Sequence, residues 1–172
     1  MQSGHWIQVS GASLLSFPDI EKNAYGEPSD KVYNDYDGVE EVRQLIKRYS
    51  TKRLVDSFFL NLANSPNRPK TAVVFPPLIY GRGRGPVNQR SVQVPESAKA
   101  TLQRRAGFQV GRGQSIWSNV HITDISQIFL KLVEKAVQGD DNGELWNENG
   151  FYFAENGELV SITITITLLH AF

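Results

Sequence analysis

The most regular pattern in the chain comes last. Val160, Ile162, Ile164, Ile166 and Leu168 alternate with Ser161, Thr163, Thr165 and Thr167. A period of two predicts a β-strand, half buried if it finds a sheet edge and aggregation-prone if it finds none. Near the other end Trp6 to Val9, WIQV, predicts a short apolar strand stopped by Ser10-Gly11. Val39, Val42, Leu45 and Ile46 then recur at helical spacing, and Leu54, Val55, Phe58, Phe59 and Leu62 follow as a second apolar set. Helix is therefore expected to dominate between about Gly38 and Asn64, with NSPNRP as its stop. Between WIQV and these helices, Pro18 to Gly38 is polar, turn-rich and aromatic, which predicts a loop folded over something.

The continuous apolar run TAVVF, Thr71 to Phe75, suits a strand covered on both faces. Pro76-Pro77 must end its ladder, because neither residue carries a backbone N–H. A short helix is expected from Glu96 to Arg105, and GFQVGRGQSIWSNVHI predicts one or two short strands joined through a turn at Gly113. The best helix follows, with Thr123 or Asp124 as its N-cap. Ile125, Ile128, Phe129, Leu132, Val133, Ala136 and Val137 form its stripe, and Gly139 its stop. Phe151 to Phe153 closes the series as another strand. Strands separated by helices predict a layered α/β architecture.

A chain of 172 residues is long enough to bury a real core. It holds no cysteine, so disulfides and thiolate metal sites are excluded. His5, His121 and His170 stand alone, without a carboxylate or second histidine at ligand spacing, so no metal site is expected. The start MQSGHWIQVSGAS does not read as a signal peptide, and no apolar stretch approaches the roughly 20 residues of a membrane span. A soluble cytoplasmic protein without membrane contact is the expectation. The net charge of zero hides an uneven layout. From Gly81 to Val120 the basic residues outnumber a lone Glu96, and after Lys135 only acidic residues remain. The basic middle suits an anionic ligand or a solvated face.

The loop GRGRGP, Gly81 to Pro86, invites comparison with a phosphate cradle. It matches neither G-x-x-x-x-G-K-[ST] nor G-x-G-x-x-G, and it leads into Pro86 and polar VNQRS rather than into a helix. No other glycine cluster in the chain has those spacings.

Taken together, WIQVSGAS, FPPLIYGRGRGP, RSVQVP and VGRGQSIWSNVHITDIS resemble segments of the extended short-chain dehydrogenases/reductases. The nearest branch is the fungal one labelled NAD(P)-binding or nucleoside-diphosphate-sugar epimerase-like. The segments stand in family order across about residues 5 to 158. The resemblance implies an α/β fold: a partial Rossmann-like, doubly wound sheet lacking its N-terminal βαβ half, with a small α+β substrate lobe. Residues 1–80 would be the C-terminal part of an NAD(P)-binding domain, 81–158 the substrate lobe and 159–172 a divergent strand-like tail. The cofactor implied is NAD or NADP, although the glycine fingerprint of the family, whose chains are about twice this length, is absent.

In that family a Tyr and a Lys four apart on one helix form the acid/base pair. Here Tyr49 and Lys52 are three apart, which still permits a shifted dyad. Anchoring on Tyr49 puts Arg53 at the lysine position, and anchoring on Lys52 puts Arg48 at the tyrosine position and Asp56 at the acidic one. By the same resemblance Ser10 or Ser13 orients a substrate carbonyl, or else caps the strand end. Lys52, Pro76 and Pro77 border the cofactor, and Asn88, Arg90 and Arg112 are candidates for anionic groups of a small-molecule substrate. Trp117-Ser118-Asn119 fills the place where sugar-nucleotide members often carry an arginine, so that substrate class is not implied. His121 is expected to fix the turn before the last helix. The alternatives are a non-catalytic binding or regulatory member of the family and, ranked last, a nucleic-acid binder. Aromatic side chains are not interleaved with the arginines as stacking on bases requires. The oligomeric state is left open.

Overall fold

The computed structural model describes residues 4–65 and 68–160. The alternating tail beyond Val160, and with it His170, lies outside the described residues. The chain is mixed α/β, with parallel strands and helices between them. It divides into two compact units, each discontinuous in sequence. Among the described residues, the first takes those within 4–17, 32–76 and 125–154, and the second those within 18–31, 77–124 and 155–160. The chain leaves the first unit after Pro76 and returns to it at Ile125.

In the first unit β1 (His5–Val9), β2 (Lys70–Phe75) and β5 (Phe151–Phe153) form an all-parallel sheet in the order β1-β2-β5. His5 pairs with Lys70 through to Val9 with Val74, and Val73 to Phe75 pair with Phe151 to Phe153. Parallel neighbours need long crossovers. The β1–β2 crossover carries α1 (Phe17–Glu21), α2 (Val39–Arg48) and α3 (Leu54–Ala63). The TAVVF run is the central strand, and Thr71 to Phe75 are all buried. Val42, Leu45 and Ile46 of α2 join Leu14, Phe59, Val73, Phe75 and Phe151 in one core.

α3 departs from the expected stripe. Its buried residues are Asp56, Phe59, Leu60 and Ala63, whereas Leu54 is 72% exposed and Val55 and Phe58 are more than half exposed. Helical spacing found the helix but not its inward face. α5 (Ile122–Val137) ends as expected. Gly139, at φ +68°, donates to the Ala136 carbonyl, and Asp140 N–H reaches back to Lys135 O. That is a Schellman stop, which favours glycine for its positive φ.

After α5 the chain is pinned to the sheet by Asn147, whose Oδ1 accepts from both the backbone N–H and the hydroxyl of Thr71. Tyr152 Oη donates to the Leu145 carbonyl at 2.5 Å. Burial, aided by the nearby Asp35 carboxylate, pushes the Tyr152 hydroxyl up to about 12. A raised tyrosine pKa favours the neutral form in the fold. Its contribution is whole below the unfolded value near 10 and is lost as pH climbs through 12. Tyr152→Phe is therefore expected to cost about 1 kcal/mol at neutral pH and to flatten the fall in stability between pH 10 and 12. Denaturant melts along that pH series would check it, and an unchanged alkaline limb would refute it.

In the second unit β3 (Leu78–Tyr80) pairs parallel with β4 (Ile116–His121), which pairs antiparallel with β6 (Glu158–Val160). Pro76-Pro77 thus ends one strand and precedes another, in a different sheet. GFQV is not a strand; the Gly113 turn is present, with its N–H bonded to Val110 O. α4 (Gln93–Arg104) starts before the expected Glu96 and holds Pro95 in its first turn. A proline is tolerated there because that N–H has no helical partner. Among the described residues no helix is long and apolar enough to cross a membrane.

Candidate functional site

In open α/β sheets ligands gather beyond the carboxyl ends of the strands. At that end of the first unit's sheet Ser10 N–H bonds Val74 O and Ala12 N–H bonds Pro76 O, so the turns after β1 and β2 are stitched together. Pro76 is committed there through its carbonyl. Onto this turn α3 delivers two charged residues. Arg53 Nε binds Asp56 Oδ2 at 2.5 Å, one Arg53 Nη2 binds Ser10 Oγ at 2.7 Å and the Gly11 carbonyl at 2.9 Å, and Nη1 binds Ser13 Oγ at 3.2 Å. Ser10 Oγ in turn donates to Asp56 Oδ1 at 2.5 Å. Asp56 is 1% exposed, so its charge is tolerated only because Arg53 and Ser10 hold both oxygens.

This geometry separates the two serines. Ser10 spends its single proton on Asp56 while accepting from Arg53, so it has none to offer a ligand carbonyl. Ser13 accepts from Arg53, is exposed, and keeps its proton for an outside acceptor. The network joins serine directly to carboxylate with no imidazole between them, so it is not built as a nucleophilic triad.

Tyr49 and Lys52 are arranged otherwise. α2 ends at Arg48 and α3 begins at Leu54, so Tyr49 and Lys52 stand in the bend between helices rather than on one helix face. Lys52 and Arg53 N–H both bond the Tyr49 carbonyl at 2.9 Å. The Tyr49 side chain is 5% exposed within the core cluster, edge-on to Phe17 with ring centroids 5.1 Å apart. Lys52 Nζ lies over the Phe17 ring at 5.6 Å and 6.0 Å from the Tyr49 centroid, a cation–π arrangement. The lysine meets the tyrosine through its ring face.

The second unit holds a separate cleft of about 380 Å³, lined among others by Pro77, Gly81, Asn88, Arg90 and Gln93. It brings together Pro77, Asn88 and Arg90 of the expected ligand residues and leaves out Arg112, which pairs with Glu27 at 3.3 Å. Arg90 pairs loosely with Glu96 at 3.4 Å, both well exposed, so that ion pair is weak and breakable. Asn88 Oδ1 accepts the Arg90 N–H. Of the three loop glycines, Gly81 has a demanding position: φ is +95°, and a Cβ would sit 2.3 Å from His121 Nε2. His121 Nδ1 accepts the N–H of Thr123, so the histidine itself caps α5. The cap stands two residues before Thr123 and three before Asp124.

Sequence reasoning set Arg53 only at the lysine position counted from Tyr49 and gave it no part in a serine–carboxylate network. Its signal was present, four residues after Tyr49 and three before Asp56, but nothing along the chain told it to reach back to Ser10 and Ser13. The chain is 35% identical over 164 residues to a protein of Acremonium sp. named Oxidase ucsJ. The match takes in 91% of this chain and 47% of that one, so the chain spans about half the length of the curated relative it matches. No family model matches the chain, and no solved structure matches it.

Proposed function

We propose that this chain is the substrate-side portion of an NAD(P)-dependent oxidoreductase of the extended short-chain dehydrogenase type, acting on a small carbonyl or alcohol. The observation that carries the reading is the Ser10–Ser13–Arg53–Asp56 network at the carboxyl end of an all-parallel sheet with helical crossovers. The sheet fits one half of a Rossmann-like doubly wound arrangement. The sequence motifs and the relative named an oxidase support the same class. In this reading Ser13 donates to the substrate oxygen, while Arg53 and Asp56 hold the turn that presents it.

The residues of this chain do not by themselves fit a dinucleotide. Pro76 and Pro77 suit the nicotinamide end, but the chain has no glycine cradle for the pyrophosphate. Lys52 is engaged with the Phe17 and Tyr49 rings. Fluorescence titration with NADH and NADPH is accordingly expected to show no binding by this chain up to high micromolar concentration. Low-micromolar binding would overturn that expectation.

A second reading, a non-catalytic binding member of the same family, is favoured by one feature: Arg53, at the lysine position counted from Tyr49, is locked to Asp56. Carbonyl reduction assays with NADPH separate the two. If turnover is measurable and Tyr49→Phe or Lys52→Ala lowers it about a hundredfold, the magnitude of a lost proton-transfer group, the non-catalytic reading loses.

A further inference from the structure

Three asparagine–glycine steps stand close together near the end of the described chain, at Asn142–Gly143, Asn149–Gly150 and Asn156–Gly157. Each carries the same local chemistry. Without a Cβ, the glycine lets its peptide nitrogen swing toward the preceding side-chain amide, where attack on Cγ closes a succinimide ring. The fold decides between the three by what it leaves free: the glycine nitrogen that attacks and the amide nitrogen that leaves.

At Asn149 both groups are committed. Gly150 is buried, its N–H donates to the Asn147 carbonyl at 3.0 Å, and Asn149 Nδ2 donates to the Gly143 carbonyl at 3.1 Å. A Cβ on Gly150 would stand 2.3 Å from the Thr71 carbonyl oxygen, so the backbone there has no room to turn. At Asn156 the leaving group is held, because Nδ2 donates to Asp124 Oδ2 at 3.2 Å. Its backbone is clasped to β4 as well: Asn156 N–H bonds Asn119 O at 2.8 Å, and Asn119 N–H bonds Gly157 O at 3.0 Å. Asn142 differs. It and Gly143 are exposed, and among the described residues neither Gly143 N–H nor Asn142 Nδ2 has a partner. Asn142 Oδ1 accepts from Glu144 N–H at 3.0 Å, which folds the side chain back along its own main chain past Gly143 and draws charge from Cγ. Of the neighbouring carboxylates, Asp140 pairs with Lys135 at 3.0 Å and Asp141 with Lys70 at 4.0 Å, which weakens the field that opposes an anionic nitrogen.

We infer that Asn142–Gly143 is a site of spontaneous deamidation, with water as its only co-reactant. Gly143 N bonds to Asn142 Cγ, the Cγ–Nδ2 bond breaks, and ammonia leaves carrying the proton that Gly143 N–H gives up. Water then opens the ring at either carbonyl and leaves aspartate or isoaspartate at position 142. Either product adds a carboxylate to a stretch that already holds Asp140, Asp141 and Glu144. Isoaspartate also lengthens the main chain by one methylene. That chain is tethered around the site: Trp146 Nε1 donates to the Asp140 carbonyl at 2.7 Å, and Asn147, beside the buried Trp146, holds Thr71 of β2. The modification therefore acts on the clasp between this loop and the central strand. The inference does not depend on a redox role.

The test holds the 172-residue chain in warm neutral buffer, with a parallel sample unfolded in urea, and follows both by peptide mass spectrometry. In urea the three steps should convert at similar rates. In the folded chain Asn142 should convert about tenfold or more faster than Asn149 or Asn156, which react only when the fold opens. Gly143→Ala should slow conversion at Asn142 by about tenfold or more. That variant is expected to fold like the parent, because φ at Gly143 is not left-handed and nothing lies within 4 Å of the added Cβ. The isolated isoaspartyl form should exchange the Thr71 amide hydrogen faster than the parent. Equal conversion at the three steps of the folded chain, earlier conversion at Asn149 or Asn156, or no effect of Gly143→Ala overturns the inference. So does a folded chain that keeps all three intact while the urea sample converts. The same preference for Asn142 in urea would assign the selectivity to sequence rather than to the fold, and overturns it too. Unchanged exchange at Thr71 overturns its reach to the sheet.

Discussion

Asp56→Ala is expected to destabilise the first unit by about 3–5 kcal/mol, the usual cost of removing one partner from a buried ion pair. Asp56 is 1% exposed and Arg53 little more accessible, so the alanine variant leaves a guanidinium facing two serine hydroxyls and a carbonyl with no counter-charge. Urea melts at neutral pH should show a lower midpoint with an unchanged slope. Ser10→Ala removes the hydrogen bond given to Asp56 and the one accepted from Arg53, and is expected to cost about 1–2 kcal/mol. The double replacement Arg53→Met with Asp56→Leu is expected to recover most of the Asp56→Ala loss, because apolar residues of similar volume need no counter-charge. The three changes are in contact, so their coupling must be measured as a cycle rather than summed. A loss below about 1 kcal/mol for Asp56→Ala would place the pair in water and dissolve the frame proposed for Ser13.

This network also marks where the sequence stops being readable. TAVVF announced a central strand because a continuous apolar run has no place at a wet face, and it is buried throughout. α2 showed its inward face through Val42, Leu45 and Ile46. His121 was expected to fix the turn before α5, and its Nδ1 does so. α3 was different. Periodicity selected Leu54, Val55, Phe58, Phe59 and Leu62, yet the helix turns Asp56 inward and leaves Leu54, Val55 and Phe58 largely exposed. A buried carboxylate is intelligible only with its partners, and those partners lie 3 and 46 positions away. Local pattern carries no information about such a pairing. The Tyr49–Lys52 spacing raised a similar difficulty. Three-residue separation allows contact on a continuous helix, but the helix breaks at Tyr49, and the break is set by tertiary packing of the ring into the core.

Gly26→Ala and Gly111→Ala are each expected to destabilise the second unit by about 3 kcal/mol or more, combining strained backbone with overpacking. The polar stretch containing Tyr25-Gly26 lies directly on Val110 to Gln114. Gly26 has φ +76°, and a Cβ there would stand 1.9 Å from the Val110 carbonyl oxygen. Gly111 has φ +53°, and its Cβ would stand 2.1 Å from the Tyr25 carbonyl oxygen. Each glycine therefore protects the other's neighbour, and in both cases the obstacle is backbone, which cannot rotate aside. Gln114 N–H bonds Gly26 O at 2.9 Å, so pushing the segments apart also breaks the bond that joins them. Gly85→Ala is the control: nothing lies within 4 Å of its Cβ, and a change within about 0.5 kcal/mol is expected. Hydrogen exchange resolved by segment should show protection lost at residues 25–27 and 110–114 in both alanine variants and kept in the control. Equal protection in all three would mean that the two backbones do not touch in solution. The stretch around Tyr25-Gly26 would then not be folded over Val110 to Gln114.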